Sequence, residues 1–126
     1  MTDPKPLSGY KVIDFSAVYA GPICARFLHD CGAEVIKVEA PGLGDLVRGA
    51  TGMTPAFAHF NAGKRCLALD LKSAEGQQVA RELIKDADIV VQNFRPGIMA
   101  KFGLDYDSVK QDNPKLVYCS ISGFGL

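Results

Sequence analysis

The sequence predicts an open, mostly parallel, doubly wound α/β sheet of Rossmann type. Short apolar runs rich in β-branched residues alternate along the chain with segments of helical period. The first of them, KVIDFS, is short, apolar and rich in β-branched residues, as a strand covered on both faces should be. The segments at the carboxyl ends of these runs are rich in glycine, proline, asparagine, serine or charge. A length of 126 residues suits one domain. A folded chain of this size buries roughly two thirds of its unfolded surface, enough for a true core.

Residues 11–16 (KVIDFS) form the first expected strand. Ala20-Gly21-Pro22 interrupts the chain, and residues 23–30 are helical, with Ile23, Phe27 and Cys31 in phase and Gly32 as the stop. Residues 34–39 (EVIKVE) make a second strand, so the three elements form a right-handed βαβ unit. Residues 40–65 are rich in Gly, Pro and Thr and show no period beyond a short helical turn at 57–60. A long irregular stretch of this kind in a compact domain is usually functional or disordered. Residues 66–71 (CLALDL) are the third strand. Ser73 then caps a helix over 74–85 whose apolar face carries Val79, Leu83 and Ile84. Residues 88–93 (DIVVQN) form the fourth strand, closed by Arg95-Pro96-Gly97. Short helical pieces at 98–102 and 106–111 are divided by Gly103, and residues 116–121 (LVYCSI) form the fifth strand. The chain stops in the Gly-rich loop after that strand, where α/β proteins begin another crossover, so the front part of something longer is expected.

The 48% hydrophobic content and the balance of 14 basic against 14 acidic residues exclude disorder. The same balance argues against nucleic-acid binding, which needs a concentrated basic face. No apolar run approaches the roughly 18–20 residues that span a bilayer. The amino-terminal MTDPKPLSGY lacks the pattern of a signal peptide, and a cytoplasmic protein is expected. Cys24, Cys31, Cys66 and Cys119 form no CxxC pair and are expected to be small buried hydrophobes. No metal site is expected, because His29 and His59 lack ligand-like spacing.

Ligands of open α/β sheets bind beyond the carboxyl ends of the strands, here residues 16–21, 39–45, 70–72, 93–97 and 122–125. Backbone amides at the helix start near Gly21 suit an anion. Neither GxGxxG nor GxxxxGK[ST] occurs, so neither a nicotinamide nor a nucleoside triphosphate is indicated. Lys64, Arg65, Lys72, Arg95 and Lys101 are either a phosphate-holding set or solvated surface cations. For Asn93-Phe94, either the ring stacks on a flat base beside a free amide, or a core Phe follows a turn-capping Asn. Asp14 and Asp70 read as structural caps, and His59 as a structural histidine among phenylalanines. No Ser–His–Asp set or carboxylate pair can be assigned.

Five motifs then occur in order: VIDFSAVYAGPICARFLHDCGAEVIKVEAPGLGD, NAGKRCLALDLKSAEG, NFRPG, FGLDY and NPKLVYCSISGFG. With this spacing the chain resembles, over residues 6–125, the amino-terminal part of the class III CoA-transferases. That family includes formyl-CoA transferase, carnitine CoA-transferase and alpha-methylacyl-CoA racemase. The resemblance implies the amino-terminal portion of a Rossmann-like large domain that binds coenzyme A, in an interlocked homodimer. Coenzyme A or acyl-CoA and a carboxylic acid would be substrates, with no tightly bound cofactor. The family's CoA contacts fall on Tyr19 and Ala20, on Leu69, Asp70, Leu71 and Lys72, on Asn93, Phe94 and Arg95, and on Lys101. Two positions depart from the pattern: Ala40 replaces a frequent basic residue, and Lys101 stands where formyl-CoA transferase has arginine. The implied chemistry is attack by an aspartate on the thioester, giving a mixed anhydride and free CoA thiolate. In the family that aspartate lies well beyond SGFG, so no catalytic residue is assigned here and this chain alone is expected to be inactive. The alternatives are the racemase branch, which moves a proton alpha to the thioester, and a non-catalytic CoA-binding or assembly module.

Overall fold

The computed structural model describes residues 3–49 and 54–126. Five parallel strands form one sheet: β1 (Lys11–Asp14), β2 (Glu34–Glu39), β3 (Arg65–Ala68), β4 (Ile89–Gln92) and β5 (Val117–Ser120). Their order is β3-β2-β1-β4-β5. Around them lie α1 (Ala20–Asp30), α2 (Thr54–Asn61), α3 (Ala74–Lys85), α4 (Ile98–Lys101) and α5 (Tyr106–Val109), with a 3₁₀ turn at Leu46–Arg48. The chain builds outward from β1 to β3, then returns to the other side of β1 to lay down β4 and β5. The order therefore reverses between β1 and β4, and a crevice opens at their carboxyl ends.

Strand alternation explains the two cores. Ile13 and Val90, paired in register, face one side and pack with Ala80 and Ile84 of α3, Met99, Leu104 and Val109. Their neighbours Val12 and Val91 face the other side, with Ala25 of α1, Ala33 and Val35. Each inner strand thus feeds both layers, which is why consecutive residues such as Val12-Ile13 and Val90-Val91 are both apolar and buried.

Two helices differ from expectation in phase. On α1 the buried residues are Gly21, Pro22 and Ala25, whereas Phe27 is 66% exposed. Small side chains let α1 approach the sheet, and the in-phase set Ile23, Phe27 and Cys31 does not form the buried face. Ala20-Gly21-Pro22 begins the helix instead of interrupting the chain, since proline's missing N–H is no loss in a first turn. A Cβ on Gly21 would lie 2.2 Å from Ser16 Cβ, so only glycine lets α1 start this close to the end of β1. On α3, Ser73 caps as expected, accepting from the Gly76 N–H at 3.0 Å. Its buried residues are Gly76, Ala80 and Ile84, leaving Val79 exposed.

The cysteine expectation also fails in part. Cys31 and Cys66 are exposed and Cys24 and Cys119 half-buried, because Cys31 caps a helix end and Cys66 lies on the edge strand β3. The regular elements at the carboxyl edge are shorter than expected, with β1 ending at Asp14 and β3 at Ala68. The turn expected at 57–60 is a full helix, α2.

Replacing fully buried Ile84 by alanine is expected to cost about 2–5 kcal/mol in urea unfolding. Gly21→Ala should also destabilise, whereas Gly123→Ala, with open space around its Cβ position, should be near neutral.

Candidate functional site

Beneath the carboxyl edge lies a layer of buried charge. Asp14, the last residue of β1, accepts from Lys64 Nζ at 2.8 Å through Oδ2, with both side chains fully buried. Its Oδ1 accepts from the Ser16 N–H at 2.9 Å and from the Ser16 hydroxyl. Lys64 donates its remaining protons to the Pro22 carbonyl at 2.9 Å and to Asn61 Oδ1 at 2.8 Å. All three ammonium donors are thus used. Burial pushes this lysine below its ordinary pKa, with Asp14 acting against it. Lys64 is therefore a structural cation, and Asp14 has the partner that its place in a strand demands.

A second pair stands alongside. Lys37, inside β2 and fully buried, donates to Asp45 Oδ2 at 2.9 Å and to the Ser16 carbonyl at 2.8 Å. Asp45 in turn accepts from the Val18 N–H at 3.1 Å and from the Val47 N–H at 3.2 Å. Glu39 completes the layer, accepting from Arg48 at 2.7 Å through each oxygen and from the Asp45 N–H at 2.8 Å. Burial would raise the Glu39 pKa, but the Arg48 hydrogen bonds and the Asp45 amide pull it down to about 2. Together these contacts fold the segment over 40–49 onto the sheet. Sequence reasoning missed Lys37, Asp45 and Glu39, although a lysine inside the apolar run EVIKVE was a signal that a buried acid must meet it.

Above this layer is the crevice, with Phe94 as its partition. On one side, a hollow of about 160 Å³ is lined by Leu69, Asp70, Leu71 and Lys72, with Ala40, Phe94 and Phe102. On the other, a hollow of about 580 Å³ is lined by Ala20, Asn93, Phe94, Arg95 and residues 121–125. The Phe94 ring meets Phe102 edge to face, centroids 6.1 Å apart. Lys101 lies past Phe102, in a polar hollow of about 420 Å³ with Gln77 and Arg81. Tyr19 is exposed and packs edge-on against Phe60, centroids 4.8 Å apart.

The structure resolves the Asn93-Phe94 alternatives separately. Asn93 spends its amide on the backbone of Ala17, accepting at 2.9 Å and donating at 2.8 Å. It is a turn-fixing asparagine. Phe94 packs against the core and still lines both hollows. The side chains of Lys72, Arg95 and Lys101 make no hydrogen bond or ion pair among the described residues. Arg65, by contrast, pairs with Glu34 at the sheet edge. Asp70 accepts from the Lys72 N–H at 3.0 Å, closing the turn after β3. His59 is exposed and its ring meets Phe60 edge to face at a centroid distance of 5.5 Å.

Sheet order and crevice together define a doubly wound α/β protein whose crevice opens at the strand switch point. The chain belongs to CoA-transferase family III, whose family model matches residues 7–126. It is 46% identical to a succinate–glutarate CoA-transferase from Agrobacterium fabrum, over 95% of this chain and 33% of that protein. It is 42% identical to a formyl-CoA:oxalate CoA-transferase from Bradyrhizobium diazoefficiens, over 96% of this chain and 30% of that one. A CAIB/BAIF family protein from Brucella suis has a similar solved structure, with TM-score 0.89 and 42% identity over 98% of this chain and 35% of that one. The chain spans about a third of the length of these relatives. No helix among the described residues is long and apolar enough to cross a membrane.

The Glu39 pKa fixes the sign of an acid effect. Because the folded value, about 2, lies below the ordinary 4.5, its contribution is present above pH 4.5 and is lost as pH falls toward 2. Glu39→Gln should flatten the loss of unfolding free energy across that window, measured by urea titration at stepped pH. Parallel profiles for the two proteins would contradict this account.

Proposed function

We propose that residues 1–126 are the amino-terminal portion of the CoA-binding large domain of an enzyme that moves coenzyme A between an acyl-CoA and a carboxylic acid. The observation that carries this reading is Phe94 standing between two hollows, with the free cations Lys72, Arg95 and Lys101 around it. An aromatic face suits a purine ring, and unpaired cations suit the phosphates of the same molecule. Leu69, Asp70 and Leu71 supply the wall and turn of the smaller hollow, and Ala20 and Asn93 the floor of the larger. Tyr19 flanks the start of α1. Lys101 offers charge without arginine's bidentate fork, and Ala40 adds none.

In this reading an aspartate on the remaining two thirds of the enzyme attacks the thioester carbonyl. The C–S bond breaks, CoA leaves as thiolate, and a mixed anhydride forms. The thiolate then attacks the aspartyl carbonyl and releases the first acid. The second acid reacts with the resulting aspartyl thioester to give a new anhydride, and CoA finally takes up the new acyl group. A homodimer is the expected assembly of the full-length enzyme. The names of the relatives, transferases in each case, favour this over the racemase branch.

Isothermal titration with coenzyme A tests the reading. The chain should bind, more weakly at 0.5 M than at 0.05 M salt, because phosphate contacts are screened (about 4 Å versus 14 Å Debye length). Lys72→Gln should weaken binding about three- to tenfold. Phe94→Leu, which keeps an apolar contact with the core, should weaken it by about fivefold or more. Absence of binding, or indifference to both substitutions, would remove the reading.

A further inference from the structure

The connection from β1 to α1 contains one backbone conformation that sterics disfavour. Val18 has φ +69°, in the left-handed region, and is the one non-glycine residue with positive φ among the described residues. For a β-branched side chain this is a true outlier. Burial of its own side chain does not explain it, since Val18 is 41% exposed. Tyr19, next in the chain, has φ −130° and ψ −76°, and Ala20 then opens α1 and lines the larger hollow.

Such a conformation persists only where its surroundings impose it. Here they do so from two directions. Asn93 grips both backbone groups of Ala17, at 2.9 and 2.8 Å. Both oxygens of Asp45 face the Val18 N–H, at 3.1 and 3.2 Å. Asp45 is itself held by the buried ammonium of Lys37, which also takes the Ser16 carbonyl. Three consecutive residues at the rim, Ser16, Ala17 and Val18, are thus tied to β2, to the residue after β4 and to the segment following β2.

We propose that Asp45 is a positioning residue: through the Val18 amide it holds the strained turn that sets Tyr19 and Ala20 at the edge of the ligand crevice. The proposal rests on the CoA-binding reading for the identity of the ligand. Strain absorbed on folding leaves the rim already in its binding shape, so the ligand does not have to order it.

Three variants separate positioning from simple stability. Val18→Gly adopts positive φ without strain and leaves Asp45 in place, so it should raise the melting temperature and keep CoA affinity within about twofold of wild type. Asp45→Asn should lower both melting temperature and affinity, the latter by about tenfold. In Val18→Gly/Asp45→Asn the melting temperature should recover in part while affinity stays at least fivefold weak. Recovery of affinity together with melting temperature would overturn the proposal. Should Asp45→Asn fail to fold, Lys37→Gln/Asp45→Asn removes both members of the pair and leaves no lone buried charge, and the same comparison applies. If wild type does not bind CoA, the functional reading fails by itself. The clamp is then judged by crystal structures of the Asp45 variants: Val18 relaxing to negative φ with Ala20 displaced supports it, and an unchanged turn overturns it.

Discussion

Two fully buried lysine–aspartate pairs, Lys64 with Asp14 and Lys37 with Asp45, are the constraint on which the carboxyl edge depends. Neither partner of either pair can be lost cheaply. Removing one leaves an uncompensated charge out of water, typically costing about 3–5 kcal/mol. Such pairs do not make the fold more stable than an apolar core would. What they do is tie distant segments together, because each ammonium donates to oxygens from different parts of the chain. Lys64 fixes the loop before β3 against β1 and the first turn of α1, and Lys37 fixes the segment after β2 against the end of β1.

The same pairs bear on the charge left at the crevice. Cations below the rim are spent on the fold, whereas Lys72, Arg95 and Lys101 around the rim remain uncommitted. Phe94 divides an otherwise open edge into two hollows of different size. Its neighbour Asn93 fixes the turn at Ala17 instead of facing the crevice, so adjacent residues of one motif have opposite duties. In the proposed function this arrangement receives a ligand with one flat end and several negative charges. The Agrobacterium and Bradyrhizobium relatives are named as CoA-transferases, and this chain corresponds to about a third of those proteins.

The close start of α1 has the same origin. Gly21 lies against Ser16, and Ser16 is bound both to Asp14 and to Lys37. The first turn of the helix therefore packs directly against the residue that leaves the strand, with residues 15–19 looping between β1 and α1. The turn must then pass through an unfavourable conformation at Val18, which the Asp45 and Asn93 hydrogen bonds enforce.

The sequence by itself determined the five strands, the capped helix α3, the parallel doubly wound class and the family, because apolar period, caps and motif order are local and survive without coordinates. It placed Phe94 and Lys72 near one another only by way of strand ends. The structure alone decided that Lys64 is buried beside Asp14, that Lys37 meets Asp45, that Asn93 is spent on Ala17 and that Phe27 faces outward. Each of these depends on which residues from distant segments meet in low dielectric, where a charge must find its partner. Composition and spacing show that a charge exists, and packing decides whether it faces water or another charge.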